Sequence, residues 1–299
     1  MYPVYPYVGK EVECKEKPIA FPPQEQPGQP GIEAYMVPRP ISENPYYRPA
    51  GKLLGKTAII TGGDSGIGRA VAYAFVKEGA NVSIVYLNEH IDAEETKHRI
   101  EALGGRCLLI SGDIRNSSFV NEAVQRTVNT FGSLDILVNN AAYHPYQPTI
   151  LSLTDDQLDD SFRTNVYSYF YFARAAVPYM KRGSTIINTA SRVAYVGSKD
   201  ALDYAATKGA DLTFTRSLSL QLVDFGIRVN AVAPGPVWTP LIVSSFPADQ
   251  SSVFGTEVPM KRAAQPYELA PAYVYLASDD SSYVTGQTIH VNGGMPTGS

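Results

Sequence analysis

The sequence predicts an α/β protein with a doubly wound, seven-stranded parallel sheet flanked by helices and preceded by an extended N-terminal arm. Short apolar runs alternate with amphipathic stretches from residue 56 onward, a pattern typical of a parallel sheet covered by helices on both faces. A glycine-rich turn follows the first of these runs, and 11 of the 22 prolines fall within residues 1–50. These three observations carry the prediction.

Seven apolar runs have the length of buried strands, and helical periodicity fills the gaps between them. The predicted strands are 57–61, 82–87, 107–111, 134–139, 185–189, 228–233 and 288–291. Longer helices are expected over about 164–181 and 201–223. A length of 299 residues with 44% hydrophobic composition supplies enough apolar material for a large core.

Proline divides the chain into an arm, residues 1–51, and a main domain, residues 52–299. The prolines exclude a regular helix or a central strand in the arm. The arm also carries Tyr2, Tyr5, Tyr7, Tyr35, Tyr46 and Tyr47, whereas solvated linkers are poor in aromatic residues. We therefore expect an arm that packs on a surface; the alternative is a disordered proline-rich tail.

Composition argues against several classes of partner. Lys and Arg total 25 against 29 Asp and Glu, without blocks of like charge, which disfavours nucleic acid. Cys14 and Cys107 lie far apart in unlike contexts, so neither a disulfide framework nor a metal cluster is expected. No signal segment and no run of roughly 20 apolar residues occurs. These features predict a cytoplasmic protein without a membrane or metal partner.

The first predicted strand runs into TGGDSGIG, which places Gly62, Gly66 and Gly68 at a strand-to-helix junction. Glycines permit a tight turn and let a phosphate approach the backbone N–H groups at the helix N-terminus. The turn therefore predicts a dinucleotide site, with an ordinary turn into a helix as the alternative. The GK[ST] ending of an ATP-binding loop is absent, because Arg and Ala follow Gly68.

The end of the second predicted strand bears on the choice of dinucleotide. An acidic residue there binds the adenosine ribose hydroxyls of NAD, whereas an Arg accommodates the 2′-phosphate of NADP. Tyr86, Leu87 and Asn88 occupy these positions, and Ser65 in the turn is also uncharged. Because no cation meets the extra phosphate, the sequence favours NAD.

Tyr204 and Lys208 stand four residues apart in a predicted helix, and Ser191 ends a predicted strand. Helical spacing places the phenol and the ammonium on one face. A nearby ammonium favours the ionised phenol, so Lys208 is expected to tune Tyr204 for proton transfer while Ser191 holds a substrate oxygen. In isolation, such a pair is also common on helix surfaces.

In combination, the motifs resemble those of the short-chain dehydrogenase/reductase family over nearly all of residues 52–295. The shared motifs are TGGDSGIG at 61–68, Asp113 in GDI, NNAA at 139–142, Asn165 in TNVYS, Ser191, YAATK at 204–208, PGPVWTP at 234–240 and GQTIHVNGG near the C-terminus. Ala142 stands where the family commonly has Gly. The proline-rich leader at 22–40 is similar to that of general-stress-type and glucose/ribitol dehydrogenase-like members.

The resemblance implies a Rossmann-type fold, a nicotinamide cofactor, a homotetramer, and a catalytic tetrad of Asn165, Ser191, Tyr204 and Lys208. Ser191 would orient the carbonyl and Tyr204 would act as acid and base. Lys208 would also bind the nicotinamide ribose, and Asn165 would hold a water in a proton relay. The implied cofactor contacts are Gly62, Asp64, Ser65, Gly66, Ile67, Gly68, Tyr86, Leu87, Asp113, Ile114, Asn140, Ala141, Ala142, Tyr204, Lys208, Pro234, Gly235, Val237 and Thr239.

Three further features each have two interpretations. His144 is interpreted as a wall of the substrate pocket rather than a base. The four aspartates within 155–160 are interpreted as the acidic start of a helix rather than a metal site. Trp238 belongs to segment 237–261, which is expected to form a mobile lid, with core packing as the alternative.

The predicted function is that of an NAD(P)-dependent oxidoreductase that interconverts an alcohol and its aldehyde or ketone. A pocket containing Tyr143, His144, Tyr146 and Tyr195 suits a polyol, a sugar or a small carbonyl compound. A dinucleotide-sensing or scaffolding protein without turnover is the main alternative, and epimerisation or dehydration on the same fold is another. The intact tetrad favours the oxidoreductase.

Overall fold

The computed structural model describes residues 10–12, 16–18 and 20–298. Strands β1 (Lys10–Val12) and β2 (Glu16–Pro18) pair as an antiparallel hairpin. Cys14 and the tyrosines at positions 2, 5 and 7, which contributed to the predictions for the cysteines and the arm, lie outside the described residues.

A seven-stranded parallel sheet forms the centre of the fold, which confirms the predicted fold class. Its strands are β3 (Thr57–Thr61), β4 (Asn81–Tyr86), β5 (Cys107–Ser111), β6 (Ile136–Asn139), β7 (Thr185–Thr189), β8 (Arg228–Pro234) and β9 (Thr288–Val291). Central strands buried on both faces read as continuous apolar runs. All seven apolar runs form strands, including the partly buried edge strands β5 and β9, and the largest shift in a bound is two residues, at the start of β6.

Helices pack on both faces of the sheet over two apolar cores. They are α1 (Gly66–Lys77), α2 (His90–Ala102), α3 (Ser117–Phe131), α4 (Asp155–Phe162), α5 (Ser168–Ala176), α6 (Val193–Val196), α7 (Leu202–Leu222), α8 (Pro240–Val243), α9 (Ala248–Ser252) and α10 (Pro266–Ala277). Within the described part of the chain, no helix combines the length and apolar character that a membrane crossing requires.

The helix predicted over 164–181 is not continuous. Arg163–Tyr167 forms a π-helical turn between α4 and α5, and Val177–Tyr179 forms a 3-10 turn after α5. Pro178 accounts for the second break, because proline cannot donate the hydrogen bond that a continuing helix needs. The π turn contains Asn165, and such turns inside helices frequently occur at functional sites.

The strand order is β5-β4-β3-β6-β7-β8-β9, so its direction reverses between β3 and β6. Ligands of doubly wound sheets bind in the crevice outside the carboxyl ends of the strands at such a point. Thr61 ends β3, and its Oγ1 accepts hydrogen bonds from the N–H groups of Asn140 at 2.8 Å and Ala141 at 3.0 Å. These bonds hold together the two loops that border the crevice.

Residues 20–50 of the arm lie against the main domain. Phe21 stacks on Trp238 with ring centroids 3.7 Å apart, and Nε1 of Trp238 donates to the carbonyl oxygen of Pro38 at 3.0 Å. Both aromatic side chains are buried, in a small core with Met36 and residues of α8. Trp238 therefore serves in core packing, the second of its two interpretations.

Candidate active site

One cleft at the switch point collects most of the predicted site residues. The predicted residues that line it are Gly62, Asp64, Ser65, Gly66, Ile67, Asn140, Ala141, Ala142, Ser191, Tyr204, Lys208, Pro234, Gly235, Val237 and Thr239. Those that lie outside its lining are Gly68, Tyr86, Leu87, Asp113, Ile114 and Asn165. The glycine-rich turn, the ends of the central strands and α7 thus face one space.

The glycine-rich turn forms a cradle that side chains would fill. Gly62 has φ +62°, which disfavours residues with a Cβ, and a Cβ added to Gly68 would lie 1.9 Å from the carbonyl oxygen of Gly62. Ser65 and Ile67 line the cleft at the start of α1. A helix N-terminus presents free N–H groups and a positive dipole end to an anion. The turn therefore fits the diphosphate of a dinucleotide.

The arm secures this turn from the side. Glu33 is buried; it accepts a hydrogen bond from the N–H of Gly66 at 2.7 Å and pairs with Nη1 of Arg69 at 2.6 Å. Arg69 also donates to the carbonyl oxygens of Asp64 and Asp92, and the carboxylate of Asp92 accepts from the N–H of Glu33. This Glu33–Arg69–Asp92 network connects the arm, the turn and α2.

Three members of the predicted tetrad meet in the cleft. Ser191 follows β7, while Tyr204 and Lys208 lie one turn apart in α7. The hydroxyl of Ser191 hydrogen-bonds with Tyr204. Nζ of Lys208 lies 5.7 Å from the centre of the Tyr204 ring and donates to the carbonyl oxygen of Thr189 at 2.7 Å. The distances allow Lys208 to act on Tyr204 through its charge.

Asp211 is a buried member of this group that the sequence analysis missed. Its Oδ2 pairs with Nζ of Lys208 at 3.0 Å, and both side chains are 1% exposed. Burial is the largest single influence and lowers the pKa of Lys208. The charges of Asp211, Tyr169 and Tyr204, together with the hydrogen bond to Asp211, outweigh it, so the pKa is raised and the ammonium is retained. The spacing of Lys208 and Asp211 in the sequence indicates this pair, because residues three apart share a helix face.

Opposing influences set the pKa of Tyr204. Burial raises it, and the charge of Asp211 raises it further. The charge of Lys208 and the hydrogen bond with Ser191 lower it, and the net result is a raised pKa. Lys208 therefore lowers the pKa of Tyr204, as the sequence predicts, but the increase that burial causes is larger.

Asn165 lies next to the loop that follows β6. Its Oδ1 accepts from the N–H of Tyr143 at 2.7 Å, and its Nδ2 donates to the carbonyl oxygen of Tyr143 at 2.8 Å and to Oγ1 of Thr207 at 3.0 Å. Among the described residues, these bonds link Asn165 to the loop and to α7 but not to Lys208. Asn165 fixes this loop, and its role in a water relay stays a prediction.

Two predicted acidic features have other partners. Asp113 accepts from Nη2 of Arg115 at 2.8 Å, so its contact with the adenine stays a prediction. Asp155 and Asp156 lie in the first turn of α4, where Thr154 caps the helix by accepting from the N–H of Gln157 at 3.1 Å. Asp159 and Asp160 lie in the second turn and pair with Arg163 and Arg115. This confirms the helical interpretation. Across the residues described, no cluster of three His, Cys, Asp or Glu side chains is arranged to hold a metal.

The end of the cleft beside β4 carries two buried acids, Asp64 and Glu89. Burial, together with the charge of Glu89, raises the pKa of Asp64 to about 8. Oε2 of Glu89 accepts from the N–H groups of Leu87 at 3.1 Å and Asn88 at 2.7 Å, while burial raises the pKa of Glu89. Glu89 is thus the acid that follows β4. It lies three residues after Tyr86, where that strand ends.

A phosphate cradle and a tyrosine paired with a lysine, brought into one cleft by a doubly wound sheet, point to the class of Rossmann-fold oxidoreductases. A family model described as enoyl-(acyl carrier protein) reductase matches residues 62–296. The chain belongs to the short-chain dehydrogenase/reductase family, as its motifs predicted.

Known proteins similar to this chain span nearly its whole length. It is 61% identical to the uncharacterized oxidoreductase YhxC of Bacillus subtilis (strain 168), over 94% of this chain and 98% of the relative. It is 52% identical to the glucose and ribitol dehydrogenase of Daucus carota, over 92% of this chain and 96% of the relative. A solved structure of a short chain dehydrogenase from Burkholderia cenocepacia J2315 in complex with NADP is 31% identical, with a TM-score of 0.76 over 81% of this chain and 98% of that one.

Proposed function

We propose that this protein is an NAD(P)-dependent oxidoreductase that interconverts an alcohol and its aldehyde or ketone, with Tyr204 as the acid and base. The observation that carries the proposal is that Ser191, Tyr204 and Lys208 line the same cleft as the glycine-rich turn. The name of the carrot relative, a glucose and ribitol dehydrogenase, supports a hydroxyl-bearing substrate.

In the direction of reduction, Ser191 donates a hydrogen bond to the carbonyl oxygen and holds it beside Tyr204. Tyr204 transfers its phenolic proton to that oxygen, and Lys208 stabilises the phenolate that is left. A bound nicotinamide supplies the hydride in this direction and accepts it in the reverse one. In the oxidation, the Tyr204 phenolate takes the proton of the hydroxyl group. Lys208 keeps its charge through both directions because Asp211 pairs with it.

The residues of the cleft fit a dinucleotide. The turn from Gly62 to Ile67 would hold the diphosphate, and the segment 234–239 would border the nicotinamide half. Asn140 and Glu89 would face the adenosine half. The expected preference for NAD is not supported, since the similar Burkholderia structure is a complex with NADP. The proposal is therefore NAD(P) without a preference.

Titration of the purified protein with NADH and NADPH, followed by a panel of carbonyl compounds and alcohols, tests the proposal. Tyr204→Phe should still bind the dinucleotide, whereas its kcat should fall at least about 100-fold through loss of the transferred proton. Tyr283→Phe is the matched control, because Tyr283 is fully exposed and lies outside the cleft lining. Binding without turnover by the wild type would support the dinucleotide-sensing alternative instead.

A further inference from the structure

Three glutamines of the arm make the same kind of contact. Each side-chain amide donates to the carbonyl oxygen of one residue and accepts from the N–H of that same residue. The pairs are Gln24 with Val37, Gln26 with Ile32, and Gln29 with His144. The first two pairs lie within the arm, while the third crosses to the main domain, with distances of 2.7 and 2.9 Å.

The arm around Gln29 is closely seated on the cleft. Pro30 and Gly31 line the cleft, and a Cβ added to Gly31 would lie 2.6 Å from the carbonyl oxygen of Pro240. Glu33 then binds the glycine-rich turn through Gly66 and Arg69. The residues that follow Gln29 are therefore anchored on the main domain, and Gln29 can fix the backbone of His144.

The residue that Gln29 holds lies directly beside the reacting tyrosine. The ring of His144 is 7% exposed, with its centroid 4.2 Å from that of Tyr204 and 5.1 Å from that of Phe246. Its Nδ1 is buried and has no hydrogen-bond partner among the described residues. A buried polar atom without a partner costs stability, and such atoms call for an explanation in a native fold.

The imidazole is neutral under ordinary conditions, because burial lowers the pKa of His144 to about 4. A neutral imidazole carries one hydrogen-bond donor and one acceptor. It therefore suits a ligand hydroxyl group, which can also donate and accept, better than it suits a charged ligand group. The lining of the cleft also includes the apolar side chains of Leu241, Ile242, Phe246 and Phe254. His144 thus places a polar ring next to the apolar ring of Phe246.

We propose that His144 recognises a substrate hydroxyl on the carbon next to the reacting carbonyl, and that Gln29 of the arm is the positioning residue that holds it there. The inference rests on the proposed function. Because the two rings are in contact, a group bound to His144 lies close to the oxygen that Tyr204 protonates. The substrate class is accordingly a 2-hydroxy aldehyde or ketone and the corresponding polyol.

His144→Phe in the full-length protein tests the recognition step, since phenylalanine keeps the ring contacts and removes both ring nitrogens. Glyceraldehyde, 3-hydroxypropanal and propanal are assayed with the dinucleotide that the wild type uses. Only glyceraldehyde has a hydroxyl group on the carbon next to the carbonyl, so 3-hydroxypropanal should respond as propanal does. We expect kcat/KM for glyceraldehyde to fall about 10- to 100-fold, as for an unpaired buried hydrogen-bonding group. The value for propanal should change less than about threefold, since no hydrogen bond is lost. An equal loss on glyceraldehyde and on either other aldehyde, or no loss on any of them, overturns the inference and leaves the proposed function in place.

Gln29→Ala tests the role of the arm, with Gln26→Ala as a matched control that opens a clamp of the same type within the arm. Gln29→Ala should lower the glyceraldehyde-to-propanal ratio of kcat/KM about 3- to 10-fold, because His144 then loses its fixed position. Gln26→Ala should leave that ratio unchanged. Equal ratios in the two variants would mean that Gln29 contributes stability only. A wild type inactive on every carbonyl compound would reject the proposed function itself, and the inference with it.

Discussion

Asp211 places a buried negative charge about two helical turns from the reacting tyrosine in α7. It pairs with Lys208 at 3.0 Å, and its own Oδ1 is buried without a hydrogen-bond partner among the described residues. The pair keeps Lys208 charged, yet the same carboxylate raises the pKa of Tyr204. Asp211 therefore opposes the effect of Lys208 on the phenol.

Asp211→Asn should move the pH dependence of alcohol oxidation. Oxidation requires the Tyr204 phenolate, so its rate rises with pH through the pKa of Tyr204. Asp211→Asn removes a charge that raises that pKa, but it also removes the partner that keeps Lys208 charged. We expect the first effect to dominate, so the rising limb of the kcat profile should shift to lower pH. Asp224→Asn, an exposed site just beyond α7, is the control. A limb that stays in place, or shifts to higher pH, would contradict this account of Asp211.

Local sequence signals explain which site residues could be predicted. Tyr204, Lys208 and Ser191 follow from helical spacing and from the end of a strand, and Asp211 was open to the same argument. Gln29 could not be predicted by this argument, because its partner His144 is 115 residues away and no pattern along the chain encodes such a contact. The position of Glu89 in the cleft could not be predicted either. It depends on the loop after β4, in which the N–H groups of Leu87 and Asn88 donate to the Glu89 carboxylate.

At the scale of elements, the sheet could be predicted and the packing of the arm could not. Each strand is a local apolar run, whereas the arm has no periodicity and is held by isolated contacts. The clearest are Phe21 on Trp238, Trp238 on Pro38, and Glu33 on Arg69. Proline content indicated only which regular structures the arm excludes. The break at Arg163–Tyr167 also has no local signal, since the same residues suit an uninterrupted helix.

Glu33→Ala should destabilise the fold, because it leaves the N–H of Gly66 without its acceptor and Arg69 without its nearest carboxylate. Breaking a buried ion pair typically costs about 3–5 kcal/mol, and Asp92, 3.5 Å from Arg69, compensates in part. We expect a loss of about 2–4 kcal/mol in urea denaturation, together with weaker dinucleotide binding.

Glu122→Ala is the control for that variant, because it removes an exposed pair with Arg126 on α3. Exposed pairs contribute little, so its urea midpoint should stay at the wild-type value. If Glu33→Ala unfolded at the same urea concentration as Glu122→Ala, the Glu33–Arg69–Asp92 network would not support the turn.

At the scale of the whole molecule, large apolar side chains remain exposed on the two long helical segments that the sequence predicts over 164–181 and 201–223. Phe170 on α5 is 51% exposed, and Tyr167, in the π turn one helical turn earlier, is 43% exposed. The ring of Phe170 lies 4.2 Å from that of Phe214 on α7, so the two helices share one aromatic surface. Exposed apolar patches of this kind mark interaction sites more often than isolated apolar residues do.

The family resemblance implies a homotetramer, so we expect a mass by light scattering of four times the 32.5-kDa chain. Phe170→Glu should reduce the assembly to a smaller one, because two charged copies would be buried in the contact, while circular dichroism stays native. Leu151→Glu is the control, since Leu151 is 91% exposed in the separate 3-10 turn Ile150–Ser152. A monomeric wild type would refute the tetramer. A tetrameric Phe170→Glu variant would instead show that subunits meet elsewhere, with the aromatic surface of α5 and α7 left free in the assembly.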